Sequence, residues 1–293
     1  MNTDATLAVG PLGLDDRRDA DQAWTTIEPT RGWAPLQLAK LWQYRELVYF
    51  LAWRDVKVRY KQTALGAAWA IIQPLLTMAV FSIIFGRVAH LPSDGVPYPL
   101  FTFTALLPWT YFAYVLQESG NSVLNNARMM SKVYFPRLAL PLSTALAGLV
   151  DFAIAFAVLV GMLLLFGVHP GPRILALPLF LLLAVAVSMA VGIWLSGLSA
   201  QYRDIKYVIP FLTQIWLLVS PVAYGTGLVK GKLALIYAFN PMSGVIEGFR
   251  WAILGVGVGP GLALLPSLSA TLVLLVGGLY YFRRMEQTFA DLV

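Results

Sequence analysis

Long stretches of apolar residues with at most one charge recur along the chain and predict a bundle of membrane-spanning helices. Six of them are long enough to cross a hydrocarbon core of ~30 Å as a helix at ~1.5 Å per residue. The predicted spans are 64–86, 97–118, 139–166, 174–200, 207–227 and 262–282. This pattern indicates an all-α integral membrane protein with six transmembrane helices.

One further apolar stretch, residues 233–246, is too short to span a membrane. Asn240-Pro241 and Gly244 are predicted to break it. Apolar segments of this length are typical of re-entrant or interfacial structure. We therefore predict a re-entrant pair of short helices in the outer leaflet between spans five and six.

Residues 36–61, just before the first span, have the pattern of an interfacial amphipathic helix. At helical spacing Tyr49, Trp53 and Tyr60 share one face, and cations such as Arg54 and Lys57 lie on the other. Aromatic rings toward lipid and cations toward headgroups suit the cytoplasmic interface. The helix either anchors the first span or lines a substrate entrance, where its cations would meet an anionic lipid-linked substrate.

Composition and charge support a membrane location. Hydrophobic residues make up 58% of the 293 residues and charged residues 12%, whereas soluble domains carry about 25% charged residues. Most of the 21 lysines and arginines fall in the segments that six spans would place on the side of the termini. The positive-inside rule therefore predicts cytoplasmic termini, and the net charge of +6 does not indicate nucleic acid binding.

The two ends of the chain differ in character. Residues 1–35 are polar and of mixed charge, without the apolar core of a signal peptide, and we interpret them as a disordered cytoplasmic tail. Residues 36–293 form one predicted transmembrane domain. Cysteine is absent, the two histidines lie in predicted outer loops, and neither a nucleotide-binding phosphate loop nor a metal motif is present. The sequence predicts no enzymatic activity and no cofactor or metal in this chain.

The segment between spans two and three predicts a short cytoplasmic helix. Its polar stripe consists of Asn121, Asn125, Arg128 and Lys132, and Pro136 ends it. Such a helix presents one face to the bundle and the other to water or a partner protein. It is either an ordinary solvated loop helix or a docking element for a cytoplasmic partner.

Asp151 lies near the middle of the third predicted span. A carboxylate at this depth costs at least ~2.5–3.5 kcal/mol on insertion scales, so it is expected to face the bundle. It either forms hydrogen bonds to neighbouring helices or belongs to a proton relay. A relay needs a second buried ionisable group, and Glu118 is the one candidate that we identify.

Aromatic residues are abundant, with 16 Phe, 13 Tyr and 9 Trp. Many are expected in the belts at the membrane interfaces. Others could line a path for sugar rings, because ring faces offer apolar contact without fixed hydrogen bonds. The candidates for such a channel lining are Trp69, Trp109, Tyr111, Tyr114, Trp194 and Trp216.

Four stretches, taken in order, resemble the permease subunits of bacterial ATP-binding-cassette exporters for polysaccharides of the lipopolysaccharide O-antigen type. The stretches are LAWRDVKVRYKQTALGAAWAIIQP at 51–74, KVYFPR at 132–137, YRDI at 202–205, and NPM at 240–242 with EGFRW at 247–251. The resemblance covers roughly residues 36–285.

The resemblance implies a homodimer in the bacterial inner membrane, joined to two cytoplasmic ATPase subunits that bind ATP and Mg²⁺. It implies a substrate glycan linked to polyprenyl pyrophosphate. The implied ATPase-coupling residues are Asn121, Asn125, Arg128, Lys132, Phe135, Pro136 and Arg137. The implied entrance residues are Trp53, Arg54, Lys57, Arg59, Tyr60 and Lys61. The implied outer-gate residues are Asn240, Pro241, Glu247, Arg250 and Trp251.

Three other functions remain open at this point. An exporter of teichoic acid or another cell-surface polymer would have the same architecture. An ion-coupled secondary transporter would need buried ionisable groups, of which Asp151 is the strongest candidate. A membrane-bound enzyme that modifies glycans or lipids would need acid, base or metal-binding residues near the interface, and we identify none.

Overall fold

The computed structural model describes residues 38–61, 66–229, 231–257, 259 and 261–286, and the regular structure within these ranges is helical. The predicted tail 1–35 lies outside the described residues. The α-helices are α1 (Leu38–Gln43), α2 (Arg45–Lys61), α3 (Gly66–Phe81), α4 (Tyr98–Asn125), α5 (Ala127–Met130), α6 (Ala139–Leu165), α7 (Leu177–Gln201), α8 (Ile205–Val219), α9 (Lys232–Ala238), α10 (Pro241–Leu254) and α11 (Leu265–Met285). A π-helical turn (Ser82–Val88) follows α3, and 3₁₀ turns (Pro172–Ala176, Leu262–Leu264) precede α7 and α11.

Five helical segments of the described residues are long and apolar enough to cross a membrane. They are Ala68–Val88, Tyr98–Asn125, Ala139–Leu165, Pro172–Gln201 and Leu262–Met285. They correspond to predicted spans one, two, three, four and six. The chain is therefore an all-helical protein with several membrane-spanning candidates, as the apolar pattern indicated.

The fifth predicted span, 207–227, is a shorter helix than expected. α8 has 15 residues, which gives it a length of ~22 Å. It ends at Val219, and Ser220 is extended, with φ −98° and ψ 150°, a conformation that the following Pro221 favours. The chain then turns at residues 220–225, so a sixth crossing stays a prediction.

α4 lies at the centre of the bundle. Most of it is buried, and it packs against α3, α6, α7, α8 and α10. Hydroxyl groups join it to its neighbours: Ser119 lies 2.7 Å from Thr144 of α6, and Ser122 lies 3.2 Å from Ser196 of α7. Small and polar residues at such contacts allow close approach and hydrogen bonding between membrane helices. By contrast, little of Ala68–Val88 is buried within this chain.

α2 packs along α6 with a face that does not include the aromatic residues Tyr49 and Trp53. Val48, Leu51 and Ala52 are buried in this contact, whereas Tyr49 and Trp53 are exposed. Arg59 follows the buried face by helical spacing, two turns after Ala52. The end of α2 is therefore directed toward the middle of α6.

The segment predicted as one coupling helix is two pieces. α4 continues to Asn125, and Asn126 interrupts the helix with φ −108° and ψ 16°. The Asn126 side-chain amide donates to the Ser122 carbonyl at 2.8 Å. Asparagine competes in this way with the helical hydrogen-bond pattern. Consequently Asn121 and Asn125 belong to the last turn of α4, Arg128 belongs to the short α5, and Lys132 lies in the turn that follows.

Two short helices, α9 and α10, occupy the region between α8 and α11. Asn240 caps α10, its side-chain oxygen accepting from the Met242 amide at 3.1 Å, and Pro241 is the first helical residue, a position that suits proline. The expected break at Gly244 is wrong, because α10 continues to Leu254. A Cβ at Gly244 would lie 2.6 Å from the Ser267 hydroxyl, so glycine permits the close contact with α11.

Candidate functional site

A cavity of about 780 Å³ opens between the end of α2 and helices α3, α4, α6 and α8. It extends along α4 from Leu106 to Glu118, which corresponds to ~18 Å of helix. Four of the six channel candidates line it. The lining residues that carry polar or aromatic groups are Arg59, Trp69, Gln73, Thr77, Trp109, Thr110, Tyr111, Tyr114, Gln117, Glu118, Asp151 and Phe152.

The charged end of this cavity is built around Asp151. Arg59 forms an ion pair with the Asp151 carboxylate, and the Tyr60 hydroxyl donates to its other oxygen. The Arg59 guanidinium also lies over the Tyr114 ring, 4.1 Å from its centroid. Asp151 therefore forms hydrogen bonds across helices, and its neighbours bring together α2, α4 and α6.

The surroundings of Arg59 and Tyr60 keep both side chains protonated. Burial lowers the pKa of Arg59, but the coulombic effects of Tyr114 and Asp151 raise it above the ordinary value. Burial and the hydrogen bond to Asp151 raise the pKa of Tyr60. Arg59 therefore keeps its charge at neutral pH and Tyr60 keeps its proton, so both act as donors.

Glu118 lies one turn after Tyr114 on α4 and borders the same cavity. It interacts electrostatically with Arg59, but no hydrogen bond to its carboxylate occurs among the described residues. The structure thus brings together the two acids of the hypothetical relay. A proton pathway would require both to exchange protons, and Asp151 is already engaged by two donors.

The rest of the cavity wall is aromatic with interspersed amides and hydroxyls. Trp109 and Tyr111 of α4 face Trp69, Gln73 and Thr77 of α3 across it. Tyr111 is fixed by a hydrogen bond of 3.1 Å to the Ala145 carbonyl. Flat rings next to side-chain amides and hydroxyls can bind the apolar faces and the hydroxyl groups of sugars.

The other two channel candidates lie outside this cavity. Trp194 stacks on Tyr281 at 4.8 Å between ring centroids and donates to the Leu274 carbonyl at 2.8 Å. Trp216 packs edge-on against Phe112 at 5.1 Å and donates to the Asn240 side chain at 3.0 Å. Both indoles are thus anchored between helices.

The remaining entrance residues lie on the exposed part of α2. Arg54 pairs with the adjacent Asp55 at 2.8 Å. Lys57 lies over the Trp53 ring at 5.4 Å from its centroid, and Lys61, at the end of the helix, is exposed. Of the six predicted entrance residues, Arg59 and Tyr60 are the two that contact Asp151.

The coupling segment is attached to the end of α11. Phe135 is buried, and Arg137 contacts Glu286 twice: its guanidinium donates to the backbone carbonyl, and its amide donates to the carboxylate at 3.2 Å. Glu286 also accepts from Arg283. Sequence reasoning missed Glu286, because its partner is 149 residues distant and nothing local to Glu286 indicates the contact.

The predicted outer-gate residues form a second cluster, in which Pro241, Glu247 and Arg250 are buried and Asn240 and Trp251 are half-buried. The Arg250 guanidinium donates to the carbonyls of Pro221 (2.6 Å), Val222 (2.7 Å) and Tyr224 (3.1 Å). It lies 3.6 Å from the Phe101 ring centroid, and the Glu247 carboxylate lies 3.5 Å away. Arg250 therefore ties α10 to α4 and to the turn after α8.

Trp251 completes this end of the structure. Its ring meets Phe180 of α7 edge-on at 6.3 Å, and Arg173 lies over it at 5.5 Å. Asn240 binds Trp216 of α8 and Ser220. All five predicted gate residues are thus in or next to α10, packed against α4, α7 and α8. Within the described residues, no group of three or more His, Asp or Glu side chains could hold a metal ion.

Comparison with known proteins identifies the family. Residues 46–254 match the family model described as ABC-2 type transporter. The O-antigen export system permease protein RfbA of Klebsiella pneumoniae is 27% identical over 250 residues, which cover 85% of this chain and 95% of that protein. RfbA of Myxococcus xanthus is 26% identical over 72% of this chain and 81% of its own length.

A third similar protein is the polysialic acid transport protein KpsM of Escherichia coli, 23% identical over 80% of this chain and 91% of its own length. The family model covers the segments that contribute the cavity and the buried cluster, from α2 through α10. The chain belongs to the ABC-2 type transporter family of membrane proteins.

Proposed function

We propose that this chain is the transmembrane subunit of an ATP-driven exporter that moves a lipid-linked, O-antigen-like polysaccharide across the bacterial inner membrane. The observation that carries the proposal is the elongated cavity with aromatic, amide and hydroxyl lining, in a chain of the ABC-2 family. The names of the similar proteins, two of them O-antigen permeases and one a polysialic acid transporter, support a polysaccharide cargo.

The proposed topology has six spans, with α8 as the fifth and with cytoplasmic termini. α2 lies at the cytoplasmic interface, and α9 and α10 form a re-entrant pair in the outer leaflet. The distribution of lysine and arginine supports this orientation. Exposed aromatic residues on α1 and α2, including Trp42, Tyr49 and Trp53, support contact with lipid.

The proposed assembly contains two copies of this chain and two ATPase subunits that bind ATP and Mg²⁺. The exposed apolar side chains of α3 and α8, such as Leu76, Val80 and Phe211, provide a surface for the second copy. A path for a polymer would then lie between the copies. Exposed Val133 and Tyr134, with Arg128 and Lys132 close in sequence, provide a surface for the ATPase.

The proposed substrate route begins at α2 and ends at α10. The pyrophosphate of a polyprenyl-linked glycan would meet Arg54, Lys57, Arg59 and Lys61. Its sugars would lie along the aromatic wall, and the segment from Asn240 to Trp251 would close the outer end. Trp194 and Trp216 would act through packing that positions α11 and α8.

An exporter of teichoic acid or another surface polymer of the same architecture is the second candidate, and it differs only in cargo. An ion-coupled secondary transporter is not favoured, because the family match indicates an ABC-2 protein. The engagement of Asp151 by Arg59 and Tyr60 also offers a structural role for the buried acid.

The proposal is tested by co-expression with a candidate ATPase subunit and by purification through a tag on the permease. We expect the ATPase to co-purify at one copy per permease and to hydrolyse ATP. Charge reversal by Arg128→Glu and Lys132→Glu is expected to abolish pairing or hydrolysis.

A matched control reverses two exposed charges outside the coupling segment, Arg87→Glu and Lys232→Glu, and is expected to leave pairing intact. If no ATPase associates and a proton gradient alone drives transport that Asp151→Asn stops, the exporter assignment is wrong.

A further inference from the structure

We propose that Asp151 occupies the binding position on Arg59 that the substrate's anionic headgroup takes during transport. A lipid pyrophosphate that enters the cavity would displace Asp151 from Arg59. This inference rests on the proposed function. It identifies Arg59 as the phosphate ligand, and it assigns to Asp151 the role of a competitor.

The first argument is the accessibility of the pair. The Arg59 side chain is 32% exposed and that of Asp151 is 25% exposed, and both border the cavity. The guanidinium presents five donors in a planar fork. Carboxylate and phosphate oxygens are equivalent partners for such a fork. A phosphate that enters the cavity can therefore replace Asp151 without a change in the chemistry of the contact.

The second argument is that Asp151 has another donor when Arg59 leaves. The Tyr60 hydroxyl donates to the second carboxylate oxygen, and Tyr60 adjoins Arg59 on α2. Removing one partner of a fully buried ion pair leaves an uncompensated charge, which is strongly unfavourable. Here the hydroxyl and the open side of the cavity reduce this cost, so the pair can separate.

The third argument is position. Asp151 is twelve residues after the first residue of α6, ~18 Å along the helix. Tyr114, which supports the Arg59 guanidinium, precedes Glu118 by one turn and follows Trp109 by five residues, ~7.5 Å. A phosphate bound at Arg59 would therefore place the first sugars beside Trp109 and Tyr111, where the ring-lined wall begins.

Two consequences follow from the exchange. Because Arg59 is held by Asp151, its apparent affinity for phosphate is reduced by the fraction of time that the pair is closed. Substrate binding also breaks one of the two side-chain contacts that α2 makes with Asp151 of α6, and the Tyr60 hydrogen bond remains as the other. Loading of the cavity would thus be coupled to a weaker attachment of the end of α2 to α6.

The test is a binding titration on the intact permease in phosphatidylcholine nanodiscs, with polyprenyl pyrophosphate as the probe. Free inorganic pyrophosphate and phosphatidylglycerol form separate arms that distinguish a lipid pyrophosphate from a free phosphate or a general anionic headgroup. The variants are Asp151→Asn, Arg59→Gln, both together, and Glu118→Gln as a matched removal of a cavity carboxylate that interacts with Arg59 electrostatically but does not form an ion pair with it.

We expect Asp151→Asn to tighten binding of polyprenyl pyrophosphate by about fivefold. Glu118→Gln is expected to change it less than twofold. Arg59→Gln is expected to weaken binding about tenfold, and Asp151→Asn is expected to have no effect in that background. The inference is overturned if Asp151→Asn leaves affinity unchanged or weakens it, if its effect persists without Arg59, or if Glu118→Gln tightens binding equally. Equal binding of phosphatidylglycerol, or of free pyrophosphate, also overturns it.

A second measurement does not depend on an Asp151 variant that folds. The chain has no cysteine, so spin labels can be attached to cysteines at exposed Val58 of α2 and Leu146 of α6. We expect the label distance to increase when polyprenyl pyrophosphate is added, and an unchanged distance counts against the inference. If the ATPase co-purifies but the pyrophosphate lipid binds no variant, the inference fails while the proposed function stands. If the ATPase does not associate, the proposed function fails.

Discussion

Two arginine–carboxylate pairs, one near the start of α4 and one just past its middle, have the same chemistry and opposite surroundings. Arg250 is fully buried beside Glu247 and contacts Phe101, four residues into α4. Arg59 is one-third exposed beside Asp151 and lies over Tyr114, nearer the other end. Arg250 binds mainly backbone carbonyls, which cannot move independently, whereas Arg59 binds side chains at the edge of a cavity.

The comparison shows that the role of each ion pair depends on the other hydrogen-bond partners of its two residues. Three carbonyls of the turn after α8 converge on Arg250, so its departure would leave them without a donor. Asp151 retains Tyr60 if Arg59 moves. The first pair therefore holds elements together, and the second is suited to exchange.

The largest expected effect is the loss of Arg250. Arg250→Met leaves the carbonyls of Pro221, Val222 and Tyr224 and the Glu247 carboxylate without their shared donor. We expect it to lower the free energy of unfolding by ~3–5 kcal/mol. The measurement is the thermal midpoint of the purified protein in detergent. Arg250→Lys is the control and is expected to restore part of the stability, since a lysine cannot reproduce the fork. A midpoint equal to that of the wild type would contradict the bracing role.

The second test compares one added methyl group in each region. A Cβ at Gly248 would overlap the Phe180 ring, which is buried in a dense contact between α10 and α7. A Cβ at Gly148 would lie 2.6 Å from Tyr114, whose ring borders the cavity. We expect Gly248→Ala to destabilise the protein by ~1–3 kcal/mol and Gly148→Ala to cost less.

The readout is the same thermal midpoint. Gly161→Ala in α6, where nothing lies near the added methyl group, is the control and is expected to be neutral or stabilising. Equal effects at Gly248 and Gly148 would remove the distinction between a dense region and an adaptable one.

At a third arginine site, Arg137 with Glu286, the expected loss of stability is intermediate between those at the Arg250 and Asp151 sites. Glu286→Gln weakens the contacts of its carboxylate with the Arg137 amide and with Arg283, but keeps the backbone carbonyl that the Arg137 guanidinium binds. We expect a loss of ~1 kcal/mol in stability and a lower rate of ATP hydrolysis in the complex, because the coupling segment loses an attachment to α11. An unchanged rate with an unchanged ATPase affinity would separate Glu286 from coupling.

The smallest expected effect on stability is that of Asp151→Asn. A partly exposed ion pair contributes little, so we expect a change of ~0.5 kcal/mol in the free energy of unfolding. Chemical denaturation or the thermal midpoint measures it, with Glu247→Gln as the counterpart at the buried pair. A destabilisation by Asp151→Asn as large as that by Glu247→Gln would make the two pairs equivalent and would end the comparison.

The apolar pattern predicted the helices better than their ends. The third predicted span, 139–166, nearly coincides with α6, because charges and Pro136 bound it on one side and a glycine turn on the other. The second predicted span is 97–118, but α4 continues to Asn125. The charge-free window ended at Glu118, although a carboxylate that borders a cavity does not end a helix. Ser220-Pro221 shortened the fifth, a local steric effect that hydrophobicity does not reveal.

The sequence identified individual residues of the site but not which of them contact each other. The cost of a charge at membrane depth singled out Asp151, and the sequence placed Arg59 and Tyr60 in a separate segment. Their contact joins residues 92 and 91 positions apart, so no local pattern contains it. Similarly, Arg250 was identified within the outer-gate segment, but the convergence of carbonyls on it depends on the turn after α8.

The central position of α4 has a consequence for the biogenesis of the protein. α6, α7, α8 and α10, which cover most of its surface, are all synthesised after it. Until they arrive, the hydroxyls of Ser119 and Ser122 lack the interhelical partners that they find in the finished protein. α4 therefore remains without these hydrogen bonds, either within the insertion machinery or exposed to lipid, until α7 has emerged from the ribosome. Insertion efficiency measured on truncated nascent chains would locate that moment.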